Sequence, residues 1–222
     1  MMARISRVVV PRYPHHLTQR GVRSLDIFEN DDDRRAYLQL IRTHAMACGV
    51  EILAWCIMTN HVHFIAVPEE ESSLAKAFGE AHRLYTRMKN FRQDVRGYLF
   101  QGRFGSCVLD EQHLIAAARY VERNPVRARM VKKAWDYEWS SARFHVGERA
   151  SDLLVTDRTL IGLVKDWGEL LSGDDEEADN KLRAGVKIGR PVGNDSFLHK
   201  IEAITGRDLS KGTPGRPAKT QK

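Results

Sequence analysis

The chain has 222 residues, of which 42% are hydrophobic and 29% are charged, and its formal net charge is +6. This composition is ordinary for a soluble protein. The longest apolar runs, such as residues 52–58, are too short to span a bilayer, and the basic N-terminus lacks the long apolar segment of a secretory signal.

The first half of the chain alternates between strand and helix patterns. Residues 15–20 can form a strand, and residues 31–33 offer an N-cap for the helix that follows. Residues 50–58 are rich in β-forming side chains, and residues 61–67 are predicted to return as the neighbouring strand after a short turn. A long amphipathic helix is then predicted from Ser72 to about Phe91.

The next segment completes the pattern of a known fold class. Residues 98–109 are predicted to form two strand halves around Gly102 and Gly105, and residues 110–124 are predicted to be helical. The order β-α-β-β-α-β, followed by a helix, predicts an α+β, ferredoxin-like split β-α-β antiparallel sheet with helices on one face. We expect the other face to be open and to carry the function, which this fold alone does not specify.

Charge separates the C-terminal part of the chain into two regions. Residues 173–179, GDDEEAD, carry five acidic side chains and no basic one, whereas residues 180–222 carry ten lysines and arginines against three acids. We therefore divide the chain into a main domain at 1–150, a helix with an acidic, flexible linker at 151–179, and a basic C-terminal extension at 180–222. The extension indicates a polyanionic partner, or alternatively a tail that only keeps the protein soluble, and its last residues, 210–222, are predicted to be disordered without a partner.

Two histidines occur in the predicted strand 61–67, in the stretch TNHVHFIA. Side chains two residues apart share a face of a strand, so His61 and His63 point one way while Val62 and Phe64 point into the core. Two adjacent exposed imidazoles can bind one divalent cation, or they can simply lie on the sheet surface. A catalytic zinc site is not supported, because no third ligand follows at the usual spacing.

The helix near residue 120 carries a second pair of polar side chains. Tyr120 lies off the apolar stripe of this helix, and Asn124 follows one turn later on the same face. Taken alone, Tyr120 can be an amphipathic edge residue, and Asn124, which precedes Pro125, can be the N-cap of the next helix.

Together, His61, His63, Tyr120 and Asn124 form a chemically consistent set. Two imidazoles and an amide oxygen suit Mg²⁺ or Mn²⁺ and leave positions for phosphate oxygens. A tyrosine hydroxyl beside such an ion can attack a phosphodiester and form a covalent phosphotyrosine.

The motifs NHVHFI, QGRF and YVERNPVRARMV, with WSS, closely resemble the one-tyrosine HUH transposases, in which HUH denotes His-hydrophobic-His. Among these the sequence is most similar to the REP-associated tyrosine transposases, from about Tyr13 to about His145. The resemblance implies that His61 and His63 are metal ligands, that Tyr120 is the nucleophile and that Asn124 supplies a third polar ligand. It also implies a Mg²⁺- or Mn²⁺-dependent endonuclease and strand transferase that cuts single-stranded DNA at or near hairpin-forming repeats, leaving a 5′-phosphotyrosine and a free 3′-OH.

The expected partner is single-stranded or hairpin DNA, bound by a monomer or homodimer with no membrane association. Three widely spaced cysteines fit reduced thiols, and we expect a bacterial cytoplasmic, nucleoid-associated location. Phe100 stands where relatives often carry tryptophan, and its ring is predicted to stack on a base. The predicted DNA-contacting residues are Arg83, Arg87, Phe100, Arg103, Arg127, Lys187 and Arg190.

Two other functions compete with this interpretation. A protein of the same fold can recognise hairpin repeats without cutting them, although the presence of Tyr120 and both histidines favours a nuclease. An RNA-binding ferredoxin-like domain is the third reading, but it needs exposed aromatic residues on the central strands, where this sequence has His61 and His63.

Overall fold

The structure is a computed structural model that describes residues 7–209. The strands in this part are β1 (His15–Arg20), β2 (Val50–Ile57), β3 (His61–Pro68) and β4 (Gly105–Val108). The helices are α1 (Asp31–Ala47), α2 (Ser73–Gln93), α3 (Glu111–Glu122), α4 (Asn124–Arg127), α5 (Ala142–His145), α6 (Thr159–Gly162), α7 (Trp167–Ser172), α8 (Glu176–Ile188) and α9 (Asp195–Thr205). Short 3₁₀ turns lie at Val22–Ser24 and Ala134–Asp136. The predicted disorder of residues 210–222 lies outside the described residues.

The four strands form one antiparallel sheet in the order β2-β3-β1-β4. Helix α1 connects β1 to β2, and α2 connects β3 to β4, so that each connection passes over the strand that lies between its two ends. This is the split β-α-β arrangement, and the predicted α+β, ferredoxin-like fold is confirmed.

One face of the sheet packs against α1 and α2. Val62 and Phe64 of β3 are buried there, together with Phe78 of α2. Because side chains alternate along a strand, His61 and His63 must point to the opposite face, as the sequence predicts.

A buried ion pair joins α1 to α2 beneath this core. The Oδ2 atom of Asp33 accepts a hydrogen bond from Lys89 Nζ at 2.8 Å, and its Oδ1 atom accepts one from Arg92 at 2.9 Å. Burial raises the pKa of Asp33, but the hydrogen bonds from Lys89 and the Glu29 amide, with the charges of Lys89 and Arg92, together hold that pKa below its usual value. Asp33 and Lys89 are almost fully buried, and a buried charge of this kind is tolerated only when it is paired.

The second face of the sheet is covered, and the prediction of an open face is therefore wrong. Helix α3 packs across β2 and β3, and α8 packs against β4 and α3. Ile65 and Cys107 of the sheet are buried there with Val121 of α3 and Leu182 of α8. Gly185 permits the close approach of α8, since an added Cβ would lie 2.2 Å from a methyl group of Val192.

The acidic segment 173–179 is also not the flexible linker that the sequence predicts. Three of its carboxylates pair with arginines of α3 and α4, which anchor the segment to the main domain. The pairs are Asp175 with Arg119 at 3.1 Å, Asp174 with Arg123 at 3.5 Å and Asp179 with Arg127 at 3.4 Å.

The predicted double strand at residues 98–109 is reduced to one strand. Only Gly105–Val108 forms a ladder with β1, while Phe100 makes a single bridge to Gly21. Gly102 has a φ of +66°, a left-handed conformation that interrupts extended backbone between the two halves. No helix within residues 7–209 is long and apolar enough to cross a membrane.

Candidate active site

The two histidines of β3 lie side by side beneath the end of α3. Their ring centroids are 5.1 Å apart. His61 is partly exposed, but His63 is only 6% exposed, because α3 covers this face. The sequence correctly predicts their shared face, whereas the predicted exposure of both rings is wrong for His63.

A protein partner holds the Nδ1 atom of each imidazole. His61 donates from Nδ1 to the side-chain oxygen of Asn60 at 2.7 Å. His63 Nδ1 lies 3.1 Å from Nε2 of His16, a buried residue of β1. When Nδ1 donates in both rings, Nε2 is the nitrogen that remains available to a ligand, and the ring orientation is fixed in advance.

These imidazoles are held in the neutral form. Burial lowers the pKa of His16 to about 3 and, together with the nearby charges of Arg20 and Arg127, lowers the pKa of His61 to about 4. Burial also lowers the pKa of His63 well below its usual value, with further contributions from His16, His61 and the same arginines. Neutral imidazole is the form that binds a metal ion, so no proton has to be displaced near neutral pH.

Helix α3 brings Tyr120 to the same place. The centroid of its ring is 5.6 Å from that of His63 and 5.5 Å from that of His16. Tyr120 is 7% exposed, so it is not the edge residue that the helical pattern alone allows. The guanidinium groups of Arg127 and Arg183 lie 4.7 Å and 5.8 Å from the centroid of its ring.

Asn124 terminates α3 rather than capping α4 with its side chain. Its Nδ2 atom donates to the carbonyl oxygens of Tyr120 at 2.8 Å and Val121 at 3.2 Å. The N-cap position of α4 belongs to Arg123, and Asn124 is the first residue of that helix. These two bonds use only the amide nitrogen, so Oδ1 is not committed by them and can act as an oxygen ligand.

The candidate donor set consists of His61, His63 and Asn124. Within residues 7–209, no group of three or more His, Cys, Asp and Glu side chains is arranged to hold a metal. Two imidazole nitrogens and one amide oxygen are an incomplete set of protein ligands. An ion held by such a set would complete its coordination with water or phosphate oxygens.

The predicted DNA-contacting residues fall into three places. Arg127 lies over Tyr120, within the site, and is paired with Asp179. Lys187 is exposed at the end of α8, and Arg190 lines a cavity of about 740 Å³ between α8 and α9. The remaining four residues line two adjoining cavities at the C-terminal end of α2 and the loop that follows it: Arg83, Arg87, Phe100 and Arg103.

Phe100 does not have the environment of a base-stacking residue. Its ring is 6% exposed and packs against His82, at a centroid distance of 4.5 Å, and beside Tyr37 and Tyr85. The ring therefore belongs to the core beneath the predicted surface and not to a base-stacking surface.

Sequence reasoning missed three residues of this site. His16 lies against His63, Asn60 holds His61, and Arg20 lies opposite His61 in the ladder between β1 and β3. The pair His15-His16 is visible in the sequence, yet only the strand register shows which of the two faces His63. Asn60 precedes His61 directly, and a local hydrogen bond from one side chain to the next has no sequence signature.

Comparison with known proteins gives the class. Residues 10–124 match the family model described as "Transposase IS200 like". The match includes the whole sheet, both histidines, Tyr120 and Asn124, and it extends over more than half of the chain. The protein therefore belongs to the IS200-like transposase family, which confirms the resemblance seen in the sequence.

Two solved structures are similar to this chain, and the first of them supports the fold. One, described as a REP-associated tyrosine transposase bound to a REP hairpin, superposes with a TM-score of 0.58 at 18% identity, over 72% of this chain and 96% of the other. A second, described as a candidate transposase from Deinococcus radiodurans R1, has a TM-score of 0.39 at 16% identity, over 55% of this chain and 97% of the other. No curated protein matches the sequence at a significant level.

Proposed function

We propose that this transposase is a single-strand DNA endonuclease and strand transferase that acts on hairpin-forming repeat DNA through a covalent bond to Tyr120. The observation that carries this proposal is the position of Tyr120 against His63, 5.6 Å between ring centroids, with both histidines held by their Nδ1 atoms. A metal-assisted transesterification requires a nucleophile and a nearby metal ion. Here α3 supplies the nucleophile, and β3 supplies two imidazole nitrogens that are already oriented for a ligand.

The residues that would hold Mg²⁺ or Mn²⁺ are His61, His63 and Asn124. A bound ion would polarise the scissile phosphate and offset charge that develops on its oxygens. The chain itself fixes the imidazole rings through Asn60 and His16, and it keeps them neutral by burial.

The covalent chemistry balances without an external energy source. The Tyr120 hydroxyl oxygen attacks the phosphorus, the bond from phosphorus to the 3′-oxygen breaks, and that oxygen takes up a proton to become a free 3′-OH. The tyrosine proton leaves to solvent, and the 5′-phosphate remains esterified to Tyr120. A second 3′-OH then attacks the same phosphorus, and the tyrosine oxygen leaves and regains a proton, so one phosphodiester replaces another.

Positive charge close to Tyr120 supports a polyanionic substrate. Arg20 and Arg127 both act on His61 electrostatically, and Arg127 and Arg183 lie over the Tyr120 ring. The superposed REP-associated transposase is described as bound to a REP hairpin, which makes hairpin DNA the substrate class to test. We assign the chemistry to residues 1–150 and an additional DNA contact to the region from residue 180 onward, in a monomer or homodimer of the bacterial cytoplasm that works at the nucleoid.

The test is incubation of the protein with labelled single-stranded hairpin DNA and Mg²⁺ or Mn²⁺. A covalent protein–DNA adduct should form, and both Tyr120→Phe and chelation of the metal should abolish it. Tyr13→Phe, which changes a tyrosine outside the site, should leave adduct formation unchanged. Tight hairpin binding without any cleavage by the wild-type protein would instead identify a non-cleaving repeat-binding protein.

A further inference from the structure

A surface outside the candidate active site combines exposed aromatic rings with arginines. It consists of two adjoining cavities, of about 540 Å³ and 660 Å³, between the C-terminal half of α2 and residues 94–104. Arg83, Thr86 and Gly97 line both cavities, so the two form one continuous groove. Each volume is in the range of cavities that bind small organic groups.

Two aromatic side chains stand out from this groove into solvent. Tyr98, in the larger cavity, is 89% exposed, and Phe91, in the smaller one, is 88% exposed. Large apolar rings exposed to this degree beside one groove are typical of an interaction surface. The groove lies over the buried Phe100, which supports the loop from below.

The charge of the groove indicates the kind of partner. Arg83, Arg87 and Arg96 line the smaller cavity against one acid, Asp94, and Arg103 lines the larger cavity. Arg83 is paired with the neighbouring Glu80, and the surface around Tyr98 and Phe91 remains positive. Aromatic rings interleaved with arginines match single-stranded nucleic acid, because bases stack on the rings while phosphates meet the guanidinium groups.

The backbone connects this groove to the candidate active site. The backbone amide of Gln101 donates to the carbonyl oxygen of Arg20 at 2.8 Å, and the backbone amide of Val22 donates to the carbonyl oxygen of Leu99 at 2.9 Å. Arg20 ends β1 and lies opposite His61 in the ladder. The loop that carries Tyr98 therefore adjoins the end of β1 at Arg20, the residue that lies opposite His61.

We propose that this groove binds the unpaired DNA that flanks the hairpin, with bases stacked on Tyr98 and Phe91 and phosphates at Arg87, Arg96 and Arg103. The proposal deepens the proposed function and rests on it for the identity of the substrate. On this proposal, the groove recognises the single-stranded DNA beside the hairpin, whereas Tyr120 and the histidines carry out the chemistry.

The test is fluorescence anisotropy with chelator present, so that binding is measured without cleavage. A labelled hairpin with an oligothymidine tail, on either the 5′ or the 3′ side, is compared with a blunt hairpin of the same stem. The wild-type protein should bind a tailed hairpin more tightly than the blunt one. Tyr98→Ala and Phe91→Ala should each weaken binding of the tailed hairpin by about five-fold or more, and leave binding of the blunt hairpin unchanged.

Two further variants keep the result specific. Tyr98→Phe retains the ring and should bind like the wild type, and Met46→Ala removes an exposed apolar side chain from α1 and should have no effect. Wild-type affinity of both alanine variants for tailed hairpins, or an equal loss on blunt hairpins, overturns the proposal. Tighter binding of a tailed RNA hairpin than of its DNA counterpart also overturns it, in favour of RNA.

Adduct formation separates this proposal from the proposed function. If the wild type forms the Tyr120 adduct but gains nothing from a tail, the groove assignment fails and the chemistry stands. If tails improve binding through Tyr98 but no adduct ever forms, the groove stands and the chemistry fails.

Discussion

Replacement of His16 by leucine tests whether this residue, which lies behind His63, controls the metal affinity of the site. His16 Nε2 is 3.1 Å from His63 Nδ1, and both rings are buried, so His16→Leu leaves the His63 nitrogen without that partner in a place that water reaches poorly. Loss of an outer-layer partner of a metal-binding histidine typically costs about 10- to 100-fold in metal affinity or activity. We expect a loss of that size in the Mn²⁺ concentration dependence of adduct formation.

The neighbouring histidine is a matched control. His15 is equally buried, and its ring accepts a hydrogen bond from the amide of Val10 and donates one to the carbonyl of Tyr13, but it points to the other face of β1. His15→Leu should lower the melting temperature without changing the metal dependence. The assays are Mn²⁺ titration of adduct formation, calorimetric titration of the free protein, and thermal unfolding of each variant. Equal metal dependence in the wild type and His16→Leu, or an equal effect of both variants, would refute the reasoning.

Three further predictions address stability and the third ligand. Burial lowers the pKa of His82 to about 3, so the unfolded chain binds more protons than the folded one below about pH 6.5, and stability must fall as pH falls. His82→Gln retains an acceptor for the Tyr37 hydroxyl. It should reduce the slope of unfolding free energy against pH by up to about 1.4 kcal/mol per pH unit, measured by urea denaturation. An unchanged slope would contradict a neutral, buried His82. Lys89→Met leaves Asp33 buried without its closest cation and should lower the free energy of unfolding by about 3–5 kcal/mol. The loss should be much smaller in an Asp33→Asn background. Additive losses in the double mutant would exclude coupling between Lys89 and Asp33. Asn124→Ala removes two hydrogen bonds to the end of α3, at about 1 kcal/mol each. It should slow metal-dependent cleavage by more than this loss of stability explains. Loss of folded protein alone would assign Asn124 a purely structural role.

Local sequence patterns predicted much of this fold. Alternation in β3 placed Val62 and Phe64 in the core and both histidines on the other face, because strand geometry determines this without knowledge of the tertiary structure. The start of α1, the extent of α2 and the order of the strands along the chain follow from capping and periodicity in the same way. The motif identifies Tyr120 and Asn124 as candidate site residues; Tyr120 lies in the last turn of α3, and Asn124 is the first residue of α4.

The covering of the second sheet face was not predictable by these means. Helix α8 has an amphipathic pattern, but no local rule states which surface its apolar side covers. The acidic segment was taken for a linker because its partners, Arg119, Arg123 and Arg127, lie about fifty residues away in the sequence. His16 was missed for a related reason, since the register between β1 and β3 depends on the packed sheet.

The most direct test of the central claim is to locate the covalent bond in the protein–DNA adduct. Trypsin cleaves after Arg119 and Arg123 and so releases Tyr120 in the peptide YVER, which mass spectrometry can identify after nuclease trimming of the DNA. The account predicts that this peptide carries the residual nucleotide through a 5′-phosphate on Tyr120. A nucleotide attached to any other residue, or strand cleavage with no covalent peptide, would contradict it.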